Sequence, residues 1–158
     1  MIDVNIEALT LLTRRILPLM MAQKQGAILN VSSSAGFLPI PGSAVYAATK
    51  AYVTSLSEAI RAEIYDTGVT VMALCPGPVQ TEFAEVARRP DRGIQSGPRI
   101  SYVSVQDVVA DALAALEANR PLLIPGLTMK AAMILARLTP MPILRRALRA
   151  AARRIQTK

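Results

Sequence analysis

Residues 27–50 read AILNVSSSAGFLPIPGSAVYAATK. Ala27 to Val31 is a short apolar run with enough branched side chains for a buried strand. Ser32 to Gly36 is a loop of small residues at its carboxyl end. Pro39, Pro41 and Gly42 keep residues 37–43 out of regular structure. A long helix is predicted from about Ser43 to Tyr65, with Gly68 as its stop.

Outward from this unit, the same alternation continues. Residues 2–23 carry Val4, Ala8, Leu11, Leu12 and Ile16 at helical spacing. Pro18 is expected to kink or loosen the end of that helix, and Gly26 to terminate it. Val69 to Leu74 reads as a second buried strand, broken by Cys75-Pro76-Gly77-Pro78. Residues 84–104 read as a mobile loop with one helical turn at most. Residues 105–118 form an amphipathic helix, with Ser104 as its cap and Asp107 three residues on. Leu122 to Ile124 is a third strand. The tail from Thr128 is helical, with breaks at Pro140 and Pro142. Helices alternating with strands imply parallel strands joined by crossover helices, an α/β fold of about three strands with flanking helices. Three strands are few for a doubly wound sheet, so half of such a domain has no counterpart in these residues.

Composition narrows the chemistry. The 158 residues are 52% hydrophobic and 18% charged, the balance of a globular chain long enough for a sizeable core. Histidine is absent, which excludes histidine-based triads and most zinc sites, and no metal is expected. Cys75 is the single cysteine, so no internal disulfide can form, as suits a reducing cytoplasm. The start of the chain has no basic leader followed by an apolar run, and no stretch reaches the ~18 apolar residues of a membrane span. The net charge is +7, unevenly placed. Residues 1–129 hold 10 Lys/Arg against 11 Asp/Glu, whereas residues 130–158 hold 8 Lys/Arg and no acid.

Tyr46 and Lys50 lie four apart on the long helix, so their side chains share a face. Alone, that spacing is common. Its surroundings give it meaning: Asn5 sits on the first helix, and Ser33 closes a strand thirteen residues before Tyr46. Pro76-Gly77-Pro78-Val79-Gln80-Thr81 follows the next strand. An Asn on a helix, a Ser before a small-residue loop, Tyr-x-x-x-Lys and a Pro-Gly turn, in this order, resemble the short-chain dehydrogenase/reductase family over about residues 1–125. The resemblance implies a partial doubly wound, Rossmann-like sheet in residues 1–127. It also implies hydride transfer between NAD or NADP and a carbonyl or alcohol.

By the same resemblance, Tyr46 is the general acid/base and Lys50 its electrostatic partner; both contact the cofactor, and Lys50 holds the nicotinamide ribose. Ser33 donates to the substrate oxygen, with Ser34 as the alternative. Asn5 anchors a water that links Lys50 to solvent. Pro76, Gly77, Val79 and Thr81 cup the nicotinamide. The chemistry agrees, because a free phenol is a poor base at neutral pH and a neighbouring ammonium favours its ionised form. Tyr52 and Tyr65 have no Lys four residues later and read as packing residues, and Cys75 as a small buried one.

The family also begins with a strand and a glycine-rich turn that cradles the pyrophosphate at a helix N-terminus. These 158 residues contain no Gly-x-x-x-Gly-x-Gly. The expectation is therefore a truncated chain, inactive by itself. Its first strand would be an open edge, and the alternative is a non-catalytic interaction protein. The residues that choose NAD or NADP have no counterpart. Family members often form dimers or tetramers, so a homo-oligomer is implied. The tail, residues 128–158, pairs Met133, Ile134, Leu135, Leu138, Ile143, Leu144 and Leu148 with seven or more cations. It either lies on an anionic membrane or caps the substrate pocket with a solvated basic face. It is similar to extensions in reductases of lipid-like substrates. Without aromatic side chains it does not suit nucleic acid.

Overall fold

In the computed structural model, residues 1–79 and 103–156 are described, with side chains as far as Arg153. A π-helical turn, Asp3–Ala8, runs directly into helix α1, Leu9–Gln23. Strand β1 is Gly26–Val31, followed by a 3-10 turn, Ser34–Phe37. Helix α2 is Ala44–Glu63 and strand β2 is Val69–Leu74. Helix α3 is Val105–Glu117, strand β3 is Leu122–Leu123, and helices α4, Leu127–Leu138, and α5, Met141–Gln156, complete the described chain.

The three strands form one parallel sheet in the order β1-β2-β3. Gly26 pairs with Val69 and Val31 with Leu74, while Ala73 and Leu74 pair with Leu122 and Leu123. Side chains alternate across a strand, so this register sorts the core into two faces. On one face Ile28 and Val71 pack with Ile16, Leu17 and Met20 of α1 and with Ile60 and Ile64 at the end of α2. On the other face Leu29 and Leu74 pack with Val108 and Ala112 of α3. Helices therefore cover both faces of β2, and Val71, Met72 and Ala73 are fully buried. That double cover explains why Val71–Leu74 of β2 is an unbroken apolar run rather than an alternating one. The outer edge of β1 has no strand beside it among the described residues, and Val31 at its end is exposed.

One polar pair lies inside the apolar face. Asn30 on β1 donates from Nδ2 to the Ser57 hydroxyl at 2.9 Å, and both residues are buried. The Ser57 hydroxyl in turn donates to the Val53 carbonyl at 2.7 Å. Replacing Ser57 by Ala leaves a buried amide donor without its acceptor, so a loss of about 1–3 kcal/mol is expected. A urea unfolding curve checks this; an unchanged midpoint would show that Asn30 finds another partner.

Several boundaries differ from the sequence reading. Helix α1 runs through Pro18 to Gln23 and ends at Lys24, which takes the left-handed conformation at φ 54°, so Gly26 is not its stop. The Lys24 amide bonds back to the Met20 and Met21 carbonyls, which closes the helix before the glycine is reached. Helix α2 ends at Glu63, well short of Gly68. Gly68 serves another purpose: at φ +80° an added Cβ would collide with the Lys24 carbonyl, so the turns before β1 and β2 nest together. Tyr65 is 81% exposed and packs against nothing of substance. Ile124 falls outside β3. Of the two tail prolines, Pro140 lies at the break, whereas Pro142 sits in the first turn of α5, where its missing N–H removes no helical bond. Ser104 caps α3 as expected, its hydroxyl accepting the Asp107 N–H at 3.0 Å. The loop reading for 84–104 falls almost wholly outside the described residues.

Candidate active site

The carboxyl ends of β1 and β2 lie side by side, and the site is built on them, where open α/β sheets place their ligands. The turns leaving the two strands are tied together by backbone bonds. The Ser32 amide donates to the Leu74 carbonyl at 2.7 Å, and the Ser34 amide to the Pro76 carbonyl at 2.9 Å. Ser33 is extended at φ −166°, ψ 155°, and caps the 3-10 turn by accepting the Ala35 N–H on its hydroxyl at 3.1 Å. That bond uses an oxygen lone pair, so the Ser33 proton is still available to donate.

The 3-10 turn is pressed onto α2 at Lys50 and Ala51. A Cβ on Gly36 would stand 2.8–2.9 Å from the backbone of those two residues, so only glycine allows the approach. Ser32 fastens the same junction, donating to the Lys50 carbonyl at 2.7 Å and meeting the Thr54 hydroxyl at 2.7 Å. Together these contacts hold Ser33 close to the turn of α2 that carries Tyr46 and Lys50.

On that turn the Lys50 ammonium lies 5.9 Å from the centre of the Tyr46 ring. It donates to the Val31 carbonyl at the end of β1, at 2.9 Å, which leaves two further N–H groups for a ligand. Burial lowers the pKa of Lys50 from its ordinary value, outweighing an opposing pull from Cys75. Cys75 is buried, and burial pushes its thiol up, so the sulfur is a neutral packing group beside Thr54, 3.7 Å away.

Asn5 reaches the site from the π-helical turn. Its amide donates to the Thr49 hydroxyl at 3.0 Å, and Thr49 in turn donates to the Tyr46 carbonyl at 2.9 Å. A second tether joins Thr10 to Tyr52 at 2.8 Å, so the π-helical turn and the start of α1 are each tied to α2. Asn5, Ser33, Tyr46 and Lys50 are thus brought to one end of the sheet. Pro76 and Gly77 are there too, next to the 3-10 turn. Val79 forms an isolated parallel bridge with Val103. Thr81 lies outside the described residues.

Ser32, Thr49 and Thr54 were not singled out in the sequence. Their signal was available in Thr49 and Thr54, which flank Lys50 inside a helix. A hydroxyl there satisfies itself on a carbonyl three or four residues back and keeps its oxygen free to accept.

Comparison with known proteins gives the family. The short chain dehydrogenase family model matches residues 1–92. A probable NADP-dependent dehydrogenase of Haemophilus influenzae is 46% identical over 87 residues, which are 54% of this chain and 34% of that protein. Sulfoacetaldehyde reductase of Chromohalobacter salexigens is 45% identical over a similar span. The chain therefore matches about a third of the length of these relatives. Among solved structures, a 7beta-hydroxysteroid dehydrogenase superposes with a TM-score of 0.77 over 96% of this chain and 57% of its own, at 23% identity, a likeness of fold. The short-chain dehydrogenase of Sphingobium yanoikuyae in complex with NADPH superposes with a TM-score of 0.70 at 29% identity, over 89% of this chain and 56% of its own. With its parallel sheet, its Tyr-x-x-x-Lys helix and the matched residues 1–92, the chain belongs to the short-chain dehydrogenase family.

Proposed function

We propose that these residues carry the acid/base half of an NAD(P)-dependent oxidoreductase site that interconverts a carbonyl and an alcohol. The observation that supports it most is the Lys50 ammonium held beside the Tyr46 ring and bonded to the Val31 carbonyl, two residues before Ser33. The nicotinamide, when bound, supplies or accepts the hydride. Tyr46 delivers the proton to the substrate oxygen in reduction and removes it in oxidation. Lys50 places positive charge where the Tyr46 oxygen becomes negative, and its spare N–H groups suit the ribose hydroxyls of the cofactor. Ser33 donates to the substrate oxygen and stabilises the charge that gathers there. Asn5 and Thr49 position the Tyr46–Lys50 turn, and Pro76, Gly77, Val79 and Thr81 are assigned to the nicotinamide. Relatives and neighbours named for NADP or NADPH make the phosphorylated cofactor the first to test.

The 158 residues hold no glycine-rich pyrophosphate cradle, so cofactor affinity and turnover by the chain alone are proposed to be slight. The test is a fusion in which the chain follows a glycine-rich amino-terminal half from a short-chain dehydrogenase. The fusion should bind NADPH or NADH and reduce members of a ketone panel, while the chain alone does neither. Micromolar binding by the chain alone would overturn the second point. A folded fusion that binds cofactor and reduces no ketone would overturn the first.

A pH profile gives a further check. Lys50 loses its proton at lower pH than an ordinary lysine, because burial disfavours the charged form. Its positive charge is present below that depressed value and lost above it. Reduction by the fusion should therefore decline on the alkaline side before pH reaches the usual lysine range. A rate that stays level through that range would separate Lys50 from the reaction.

One observation favours a second reading, an interaction protein. Among the described residues no strand lies beside the outer edge of β1, which makes that edge a template for strand addition. Pull-down of a fixed partner through that edge by the chain alone, with an inert fusion, would support it.

A further inference from the structure

Helices α4 and α5 differ from the rest of the molecule in charge. Between Glu117 and the end of the sequence there is no acidic residue, while residues 130–158 hold 8 Lys/Arg. Helix α4 packs its inner side on the active-site turns, with Met129 resting on Gly77 and the helix lying against Ser34–Phe37. The opposite side carries Leu127, Ile134, Leu135 and Leu138. These fall within one arc of the helix, and all are exposed, Leu127 at 86% and Leu138 at 75%. Met141 and Ile143 extend the exposed apolar surface around the break into α5. Lys130 and Arg137 border the stripe on α4, and Arg145, Arg146 and Arg149 lie exposed on α5.

An apolar stripe of this size on a surface calls for a partner. The partner must offer apolar depth next to a plane of negative charge. No single helix among the described residues is long and apolar enough to cross a membrane. Helix α4 is about 18 Å long, too short for a hydrocarbon core of roughly 30 Å, and the two helices meet at a bend of 119°. Such a pair can lie within the headgroup boundary, aliphatic side chains down and guanidinium groups at the phosphates. We propose that residues 127–156 dock the protein on an anionic phospholipid bilayer. The inner side of α4 touches the turns that carry Ser33 and Gly77, so the docked surface would lie directly behind the candidate active site.

The test is sedimentation of the full chain with vesicles of phosphatidylcholine, with and without phosphatidylglycerol. Two exposed-site variants accompany it, L135S/L138S and R145E/R149E, their helix content checked by circular dichroism. The expected result is binding to the anionic vesicles alone, weakening as salt is raised. The arginine reversal should lower partitioning at least about tenfold, since each basic residue near such a surface contributes roughly a fivefold factor. The leucine variant should lose binding with its charge intact. Equal binding to both vesicle types, no binding to either, or a folded arginine variant that partitions like the parent would each overturn the proposal. So would displacement from the vesicles by a DNA duplex at matched phosphate concentration, which would mark a general polyanion surface.

Discussion

Replacing Tyr46 by Phe in the fusion protein is expected to lower ketone reduction by about 10²–10⁴-fold, the range for loss of a positioned acid/base group. The substitution removes one oxygen and keeps the ring beside Lys50. Cofactor affinity, read by fluorescence titration, should hardly change, because the ribose is assigned to Lys50. The effect should therefore fall on kcat and leave the cofactor Kd in place. That split separates proton transfer from a packing role. A variant reduced only a few-fold in kcat would transfer the acid/base role to another group, and Ser33 would be the first to examine.

The second large effect is structural and reaches the site indirectly. Gly36→Ala inserts a methyl group 2.8–2.9 Å from the Lys50 and Ala51 backbone, in a contact that has no flexible side chain to yield. Overpacking of this kind costs about 1–3 kcal/mol. The 3-10 turn must lift from α2, and Ser33, which caps that turn, moves with it. The expected outcome is a lower urea midpoint for the chain alone and a reduced kcat in the fusion. A variant with parental stability would show that the turn does not bear on α2 as tightly as these distances require.

Much of the scaffold was legible because its signals are local. Alternation of apolar runs with small-residue loops placed β1 and β2, and the Ser104 and Asp107 spacing located the start of α3. Asn5, Ser33, Tyr46 and Lys50 were marked by a family pattern; the four-residue spacing puts Tyr46 and Lys50 on one face of α2, but the tie from Asn5 to that turn follows from no spacing rule. Asn5 meets Thr49 across 44 residues, a tertiary contact with no sequence period. The π-helical turn at Asp3–Ala8 was missed because Val4 and Ala8, four apart, read as an ordinary helix, and one wider turn leaves no distinct repeat in the sequence. Lys24 replaced Gly26 as the helix stop because carbonyl capping can hold a non-glycine residue in the left-handed region. Tyr65 was misplaced for a simpler reason: it follows the last turn of α2, where the helical face no longer points at the core. Thr81 and the rest of residues 80–102 lie outside the described residues.

If Tyr46, Lys50 and Ser33 serve hydride exchange at a carbonyl carbon, the hydrogen itself can be followed by isotope transfer. The fusion is given NADPH deuterated at the transferring position, a ketone that it reduces, and the Tyr46→Phe variant as control. Deuterium on the carbinol carbon of the product, lost with the variant, is the expected result. A fusion that is folded and binds NADPH, yet leaves every ketone unlabelled, would contradict that role.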